Sequence, residues 1–384
     1  MMPETSSPTD AVHDLNGAFA PVYKVLADAI AAHAFPGCAF GVLAGGKVVL
    51  LDALGRFTYE DNAPAVTPAT VYDVASITKV ATTTAAAMLL YQRGQLDLET
   101  PLGELLPGFV VGRSRGELAH HVRVRHLLAH SSGLPGYAEL FRTVSTPTAL
   151  LRACLQLPLE AAPGTRTEYS DIGFILLGKA LEVLTREYLA RWVRMEVFEP
   201  LGFTATGYCP TAVLRPLIPP TEEDTTLRHR IIQGEVQDEH AWLLQGAGGH
   251  AGLFSNVPDL LRFAAEILAA AGPATELQKQ RLFNPETIAT FATRQVPEGS
   301  SRALGWDTPS PESSAGRYFS PHSIGHLGYS GCSLWIDLEA AVSVVLLTNR
   351  TWPDRQSQLI RTVRPAFHDA VREALTAYDK LVIN

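Results

Sequence analysis

Positive charge is in short supply in this chain, which has 31 Lys and Arg against 39 Asp and Glu and a formal net charge of -8. No basic stripe stands out against that acidic background, which argues against nucleic-acid binding. Cysteine is scarce too. Cys38, Cys154, Cys209 and Cys332 never pair at C-x-x-C spacing and sit in apolar surroundings, so four buried thiols are expected rather than bridges or metal ligands. No apolar run approaches roughly eighteen residues, and no membrane-spanning helix is expected. The opening MMPETSSPTDAVHD has neither a basic n-region nor an apolar core, so a cytoplasmic location is expected, with a periplasmic or secreted one open if a leader has been removed.

Two kinds of site are also missing. His126/His130 and His322/His326 have a four-residue spacing and His120/His121 are neighbours, but no H-E-x-x-H occurs, so no metal is expected. The glycine cluster Gly246–Gly252 lacks the Lys-Ser/Thr ending of a phosphate-binding loop, and no dinucleotide fingerprint is found. A tight cleft-lining loop is expected there, and no cofactor.

What is present is a chain of 384 residues, 46% hydrophobic, long enough for a sizeable core and two or three structural units. Residues 1–14 read as a disordered polar tail. Apolar positions at helical spacing run from Asp14 to His33, and Pro36 ends that helix. Two strands then meet across Gly45-Gly46. Near the other end, Cys332–Ile336 and Ala341–Leu347 form a second strand pair around Asp337–Ala340, before a final amphipathic helix at about 356–379. Between them helices predominate, including a buried alanine-rich one behind Lys79 and one starting near Ser255 or Asn256. The fold class expected is therefore α/β (α+β): an antiparallel sheet flanked by helices and built from both termini (15–75 and 316–384), with a mainly helical region and pocket-lining loops inserted over 76–315.

The stretch Val71–Lys79, VYDVASITK, carries the first chemistry. A helix starting near Ser76 places Ser76 and Lys79 one turn apart on one face. A serine hydroxyl needs a base to become a nucleophile, and burial in the helix that follows lowers a lysine toward that role. A capping serine followed by a solvated lysine gives the same spacing, and a chain this long shows about one such pair by chance. Tyr169-Ser170-Asp171 sits in a loop just before an apolar helix. It offers a second proton-transfer group, or alternatively a helix cap with a packed tyrosine. His326-Leu327-Gly328, read as entering the strand that begins near Cys332, places Gly328 for a close backbone approach and the Tyr329 N–H beside that of Ser76 as an oxyanion hole. His326 is either a group that orients a substrate carboxylate or protonates a leaving group, or a structural histidine.

Taken together, Ser76-x-x-Lys79, Tyr169-Ser170-Asp171, His326-Leu327-Gly328, LLAHSSGLPGY (127–137) and the VQDEHAW…GAGGHAGLFSNVPDL tract resemble the serine beta-lactamase and penicillin-binding protein superfamily. The resemblance is to its class C-like branch, with D-alanyl-D-alanine carboxypeptidases, D-aminopeptidases and esterases, and it covers roughly 20–380. It implies a beta-lactamase/transpeptidase-like fold and a serine acyl hydrolase without cofactor, acting on a small ester or a short amide or peptide. Ser76 would form the acyl-enzyme, Lys79 and Tyr169 would share proton transfer, and the N–H groups of Ser76 and Tyr329 would hold the oxyanion. Asp171, His326 and Gly328 would bind substrate.

Two positions depart from the family pattern. Asp171 stands where an asparagine is usual; a carboxylate there favours a charged Lys79 and cannot donate to a substrate carbonyl. His326 replaces a lysine, which weakens carboxylate recognition, so esterase or peptidase activity is expected ahead of beta-lactam hydrolysis. A non-catalytic binding protein that keeps the fold is the competing class, followed by a metal hydrolase. Oligomeric state is open.

Overall fold

The computed structural model of the protein describes residues 17–114, 117–272 and 281–382, without the side chains of 378–382. The expected tail over 1–14 lies outside the described residues.

The architectural centre is a five-stranded antiparallel sheet. Its strands are β1 (Gly37–Ala44), β2 (Lys47–Gly55), β8 (Ser323–Leu327), β9 (Ser333–Asp337) and β10 (Val342–Thr348), in the order β2-β1-β10-β9-β8. Strand β10 lies between β1 and β9, with Cys38 opposite Thr348 and Val344 opposite Trp335, so the two ends of the chain are joined inside one sheet. The Gly45-Gly46 turn closes the first hairpin at φ 54 and 76, a left-handed conformation that glycine adopts without steric cost.

Both faces of the sheet are covered, which is why β1 and β10 read as continuous apolar runs. On one face Phe40, Val42, Val344 and Leu346 pack against Val22 and Leu26 of the Ala20–Ala31 helix and Phe367 and Val371 of the Ile360–Val382 helix. On the other, Ala39, Leu43, Val345 and Leu347 meet Val257 and Leu261 of the Val257–Ala271 helix. Gly41 admits that helix: a methyl group there would stand 2.6 Å from Val257 Cγ1. Burying each such Val, Leu or Phe stabilises by roughly 1.5–3 kcal/mol. Asn256 caps the helix, its side chain accepting from the Asp259 N–H at 3.0 Å.

The rest is mostly helical. A three-stranded ribbon of β3 (Tyr72–Asp73), β7 (Leu253–Ser255) and β4 (Gly207–Tyr208), in the order β3-β7-β4, ties the segment before Ser76 to the glycine-rich stretch. The pair β5 (Glu222–Asp224) and β6 (Arg230–Ile232) forms a separate hairpin.

Two sequence expectations need correction. His326 and Leu327 do not lead into the strand near Cys332. They end an edge strand of their own, β8, which pairs with β9 through His326 opposite Leu334. The strand is short and preceded by loop, which hid its periodicity. Cys38, Cys154 and Cys332 are buried and free, but Cys209 is exposed. It follows β4 at φ 52, and its thiol donates to the Gln245 carbonyl at 3.2 Å.

Candidate active site

Ser76 lies on a tight turn between β3 and a helix. Ala75 has φ 47, a left-handed conformation that costs an alanine free energy and is held by its surroundings. Asp73 supplies that support: its Oδ1 accepts from the Ala75 N–H at 2.8 Å, and its Oδ2 accepts from the Gln237 N–H at 2.8 Å. Burial pushes the Asp73 carboxyl up to about 6 against the pull of those two N–H groups. Helix geometry begins at Ile77 and opens into a wide π turn over Lys79–Thr84 before normal α geometry resumes at Ala85–Gln92. Such turns concentrate at functional sites. Here the widened turn is held from outside: Thr83 Oγ1 donates to the Gly249 carbonyl at 2.6 Å, and Tyr208 donates to Thr82 Oγ1 at 3.1 Å.

The Lys79 ammonium is fully buried and donates three hydrogen bonds, to Ser76 Oγ at 2.9 Å, Asp171 Oδ1 at 2.6 Å and the His250 carbonyl at 3.0 Å. This overturns the expectation of a lysine lowered toward neutrality. Burial does push the amine down, but the Asp171 carboxylate and Tyr169 outweigh it, and the net shift is upward. Lys79 is therefore an ammonium held at the nucleophile.

Tyr169 closes the group. Its ring lies 4.9 Å from Lys79 Nζ, and its phenol interacts with both Lys79 and Ser76. Burial pushes the phenol up, and the ammonium draws it partly back. The loop that carries Tyr169 is built by LLAHSSGLPGY. His130, buried at φ 53, packs against Tyr169 with the rings tilted by 33° and their centroids 4.5 Å apart, and its carbonyl accepts from the Glu168 N–H at 2.8 Å. Gly133 at φ 81 passes so close to Ala161 that a methyl group would stand 2.0 Å from its carbonyl oxygen. Ser170 caps the Asp171–Thr185 helix, accepting from the Gly173 N–H at 3.0 Å, and this sets Asp171 in the first helical turn, facing Lys79.

The glycine-rich stretch wedges between these two helices. Gly249 nests against Gly178, where a methyl group on Gly249 would lie 2.9 Å from the Gly178 Cα and 2.4 Å from the Phe174 carbonyl oxygen. That contact delivers the His250 carbonyl to Lys79.

At the end of β8, Gly328 sits against the backbone just before Ser76. A methyl group there would come within 2.4 Å of the Val74 carbonyl oxygen. The backbone N–H groups of Ser76 and Tyr329 make no hydrogen bond to the described residues. Buried Arg364 braces this turn through the carbonyls of Gly328 (2.6 Å), Gly331 (3.1 Å) and Cys332 (2.8 Å), and Arg350 donates to the Tyr329 carbonyl at 2.8 Å. His326 is 3% exposed, and its Nδ1–H donates to the Leu327 carbonyl at 2.8 Å. Burial, reinforced by Lys79 and Arg302, holds it well below the usual histidine range, so its Nε2 presents a lone pair and no charge.

These residues line one cleft of about 1010 Å³, whose walls include Ser76, Tyr169, Asp171, His326, Gly328 and Tyr329. The structure thus brings all the sequence-predicted site residues together, with Lys79 beneath the floor. It adds one that sequence reasoning missed. Arg302 lies over the Tyr169 ring at 5.2 Å and makes a 3.9 Å ionic contact with Asp307. It stands in a loop with no periodicity or motif to signal it.

Such a floor, a serine hydroxyl in a lysine-tyrosine-carboxylate cage beside a pair of free N–H groups, is suited to acyl transfer. The chain is similar to several known proteins. A Salmonella typhimurium protein provisionally named a D-alanyl-D-alanine carboxypeptidase is 30% identical over 315 residues, covering 73% of this chain and 69% of its own length. EstCE1, described as a hydrolase with promiscuous acyltransferase activity, superposes with a TM-score of 0.73 at 24% identity, over 93% of this chain and 99% of its own. A class C beta lactamase from Rhodobacter sphaeroides gives a TM-score of 0.66 at 19% identity, over 93% and 99% of the two chains. Among the described residues, no helix is long and apolar enough to cross a membrane. The sequence model of the Beta-lactamase family matches residues 22–364, so the chain belongs to that family and is a serine hydrolase of the beta-lactamase and penicillin-binding protein fold.

Proposed function

We propose that the protein is an acyl hydrolase that passes through an acyl-enzyme on Ser76, with a small ester or a short amide or peptide as substrate. The observation that carries this reading is the 2.9 Å hydrogen bond from Lys79 to Ser76 Oγ, made by an ammonium that Asp171 anchors at 2.6 Å and Tyr169 flanks. Ser76 Oγ attacks the carbonyl carbon, and the N–H groups of Ser76 and Tyr329 receive the negative charge that develops on its oxygen. The reacting form is the Tyr169 phenolate, reached against the upward push of burial and stabilised by the Lys79 ammonium; it accepts the serine proton and gives it to the leaving group as the carbon–oxygen or carbon–nitrogen bond breaks. Water then attacks the acyl-enzyme, its proton follows the same route, and Ser76 is regenerated.

Peptidase action on D-amino-acid substrates is the second reading. The Salmonella relative's name supports it, as does the acidic wall of Asp171, Asp238 and Glu239, which suits a substrate amine. The test is turnover of a short-chain p-nitrophenyl ester with intact-mass detection of the adduct, for wild type and Ser76→Ala in parallel. A burst and an adduct that vanish with Ser76 are expected. If neither the ester, a reactive beta-lactam nor a fluorophosphonate labels Ser76, the enzymatic reading is abandoned for that of a binding protein retaining the fold.

A further inference from the structure

The geometry points to a second site beside the Ser76 cage, sharing only Asp238 with the cleft wall: a divalent transition-metal site, suited to zinc, formed by Asp238, His240 and His250. None of the histidine pairs visible at four-residue spacing contributes to it. The cluster is created by the fold, from the start of the Glu239–Leu243 helix and the glycine-rich loop twelve residues further on.

One donor atom from each of the three residues lies within 4.8 Å of the other two. His250 Nε2 and Asp238 Oδ1 already meet at 2.7 Å. The second, independent observation is the state of the imidazoles. His240 and His250 are both fully buried, yet among the described residues both ring nitrogens of His240 and Nδ1 of His250 have no hydrogen-bond partner. The Ala138 backbone approaches His240 without meeting hydrogen-bond geometry. Leaving buried polar atoms unsatisfied costs free energy, about 1–3 kcal/mol each, and an ion in this cluster would satisfy one ring nitrogen of His240, which otherwise has none paired. Tyr137 and Phe141 pack on the His240 ring at 5.3 and 5.7 Å and fix its position.

Two imidazoles and a carboxylate are a borderline-soft donor set that favours zinc and its first-row neighbours over magnesium or calcium. Donors about 2.1 Å from a shared tetrahedral ion stand roughly 3.4 Å apart, so the Asp238–His250 pair, now in hydrogen-bond contact at 2.7 Å, must open slightly while His240 closes in for the three to meet on one ion. Asp238 also lines the cleft, which gives an ion a way in. The bound ion would clamp the loop whose His250 carbonyl holds Lys79 in place. Its role is structural, and its binding does not depend on Ser76 chemistry.

The test uses untagged, chelator-stripped protein. Zinc alone is titrated against a chromophoric chelator for wild type, His240→Phe, Asp238→Asn and Ser76→Ala, with the thermal midpoint recorded with and without zinc. Wild type and Ser76→Ala are expected to take up close to one zinc per chain with a raised midpoint, and each of the other two variants to bind roughly 100-fold more weakly. Equal zinc binding by wild type, His240→Phe and Asp238→Asn, or none by wild type, overturns the proposal. Should either ligand variant fail to fold, the visible d–d spectrum of wild type loaded with cobalt(II) decides: intense four-coordinate bands support the site, and their absence rejects it.

Discussion

The backbone N–H of Ser170 donates to Nδ1 of His130 at 2.9 Å, across forty residues of sequence. This one bond, with the tilted ring contact of His130 on Tyr169, couples the LLAHSSGLPGY segment to the position of the Tyr169 hydroxyl. His130 is thus a positioning residue. Replacing it with phenylalanine keeps the ring contact but strands a buried N–H, and should cost about 1–3 kcal/mol of stability. Ester turnover should fall roughly tenfold or more as Tyr169 shifts. His130→Asn restores an acceptor in place of Nδ1 and should recover much of both. Thermal melts and kcat for the two variants check this, and equal behaviour of the pair would remove the hydrogen bond from the explanation.

Gly328 should tolerate no side chain. A methyl group would lie 2.4 Å from the Val74 carbonyl oxygen, so Gly328→Ala must push β8 away from the Ser76 turn and separate the two free N–H groups. Loss of an oxyanion donor typically costs about 10²–10³ in kcat. That loss, with Ser76 still present and the fold intact by circular dichroism, is the expected result.

Asp171→Asn should trade stability for a change in substrate choice. It leaves the buried Lys79 ammonium without its counter-charge, and breaking such a pair costs about 3 kcal/mol, less where a polar isostere remains. An amide also brings an N–H that the carboxylate lacks. The ratio of beta-lactam acylation to ester turnover should therefore rise, which intact-mass labelling measures against a chromogenic ester. An unchanged ratio would exclude Asp171 from substrate recognition.

Arg302 should matter to anionic substrates alone. His326 is held neutral, and Arg302 is a cleft-wall cation lying over the Tyr169 ring, on which Lys79 also sits from beneath. Arg302→Gln should raise KM for an ester carrying a carboxylate by about tenfold, roughly the value of one charge-assisted hydrogen bond, and leave a neutral ester unaffected.

Acid should weaken the fold before it protonates ordinary carboxylates. Burial holds His368 down to about 4, and holds His130 and His326 well below the usual range. Each is neutral when folded and takes up a proton when unfolded. Their contribution is complete above the unfolded value near 6.5 and is lost as pH falls from there, with His368 alone worth about 3 kcal/mol by pH 4. Asp73, raised to about 6, and Glu239, also pushed up by burial, work in the opposite direction, against five histidines held down once His126 and His240 are included. Thermal midpoints from pH 7 to pH 4 should fall, and His368→Asn should flatten the slope.

The parts of this protein legible in its sequence are those written locally. The Ser76-to-Lys79 spacing, the Gly45-Gly46 hairpin and the helix cap at Asn256 each depend on residues within a few positions of one another. What stayed hidden depends on distant partners. The charge state of Lys79 is decided by Asp171, ninety-two positions away, and Tyr169, which together outweigh the burial that the apolar helix alone suggested. Strand β8 has too few residues to show a period, and Arg302 has no motif at all. The Asp238, His240 and His250 cluster escaped because its two histidines stand ten apart, a spacing that fits no single turn of helix or strand.

The placement of β10 between β1 and β9 has a consequence for synthesis. Strand β1 pairs with β2 as soon as both emerge, but its other edge waits for β10, about three hundred residues later. At a translation rate of about 5–20 residues per second, that edge stays unpaired for roughly 15–60 seconds. The nascent chain therefore carries an open, apolar strand through most of its time on the ribosome, and a product stopped short of Val342 has no native partner to cover it. Premature termination should yield aggregates or chaperone clients rather than a shortened enzyme.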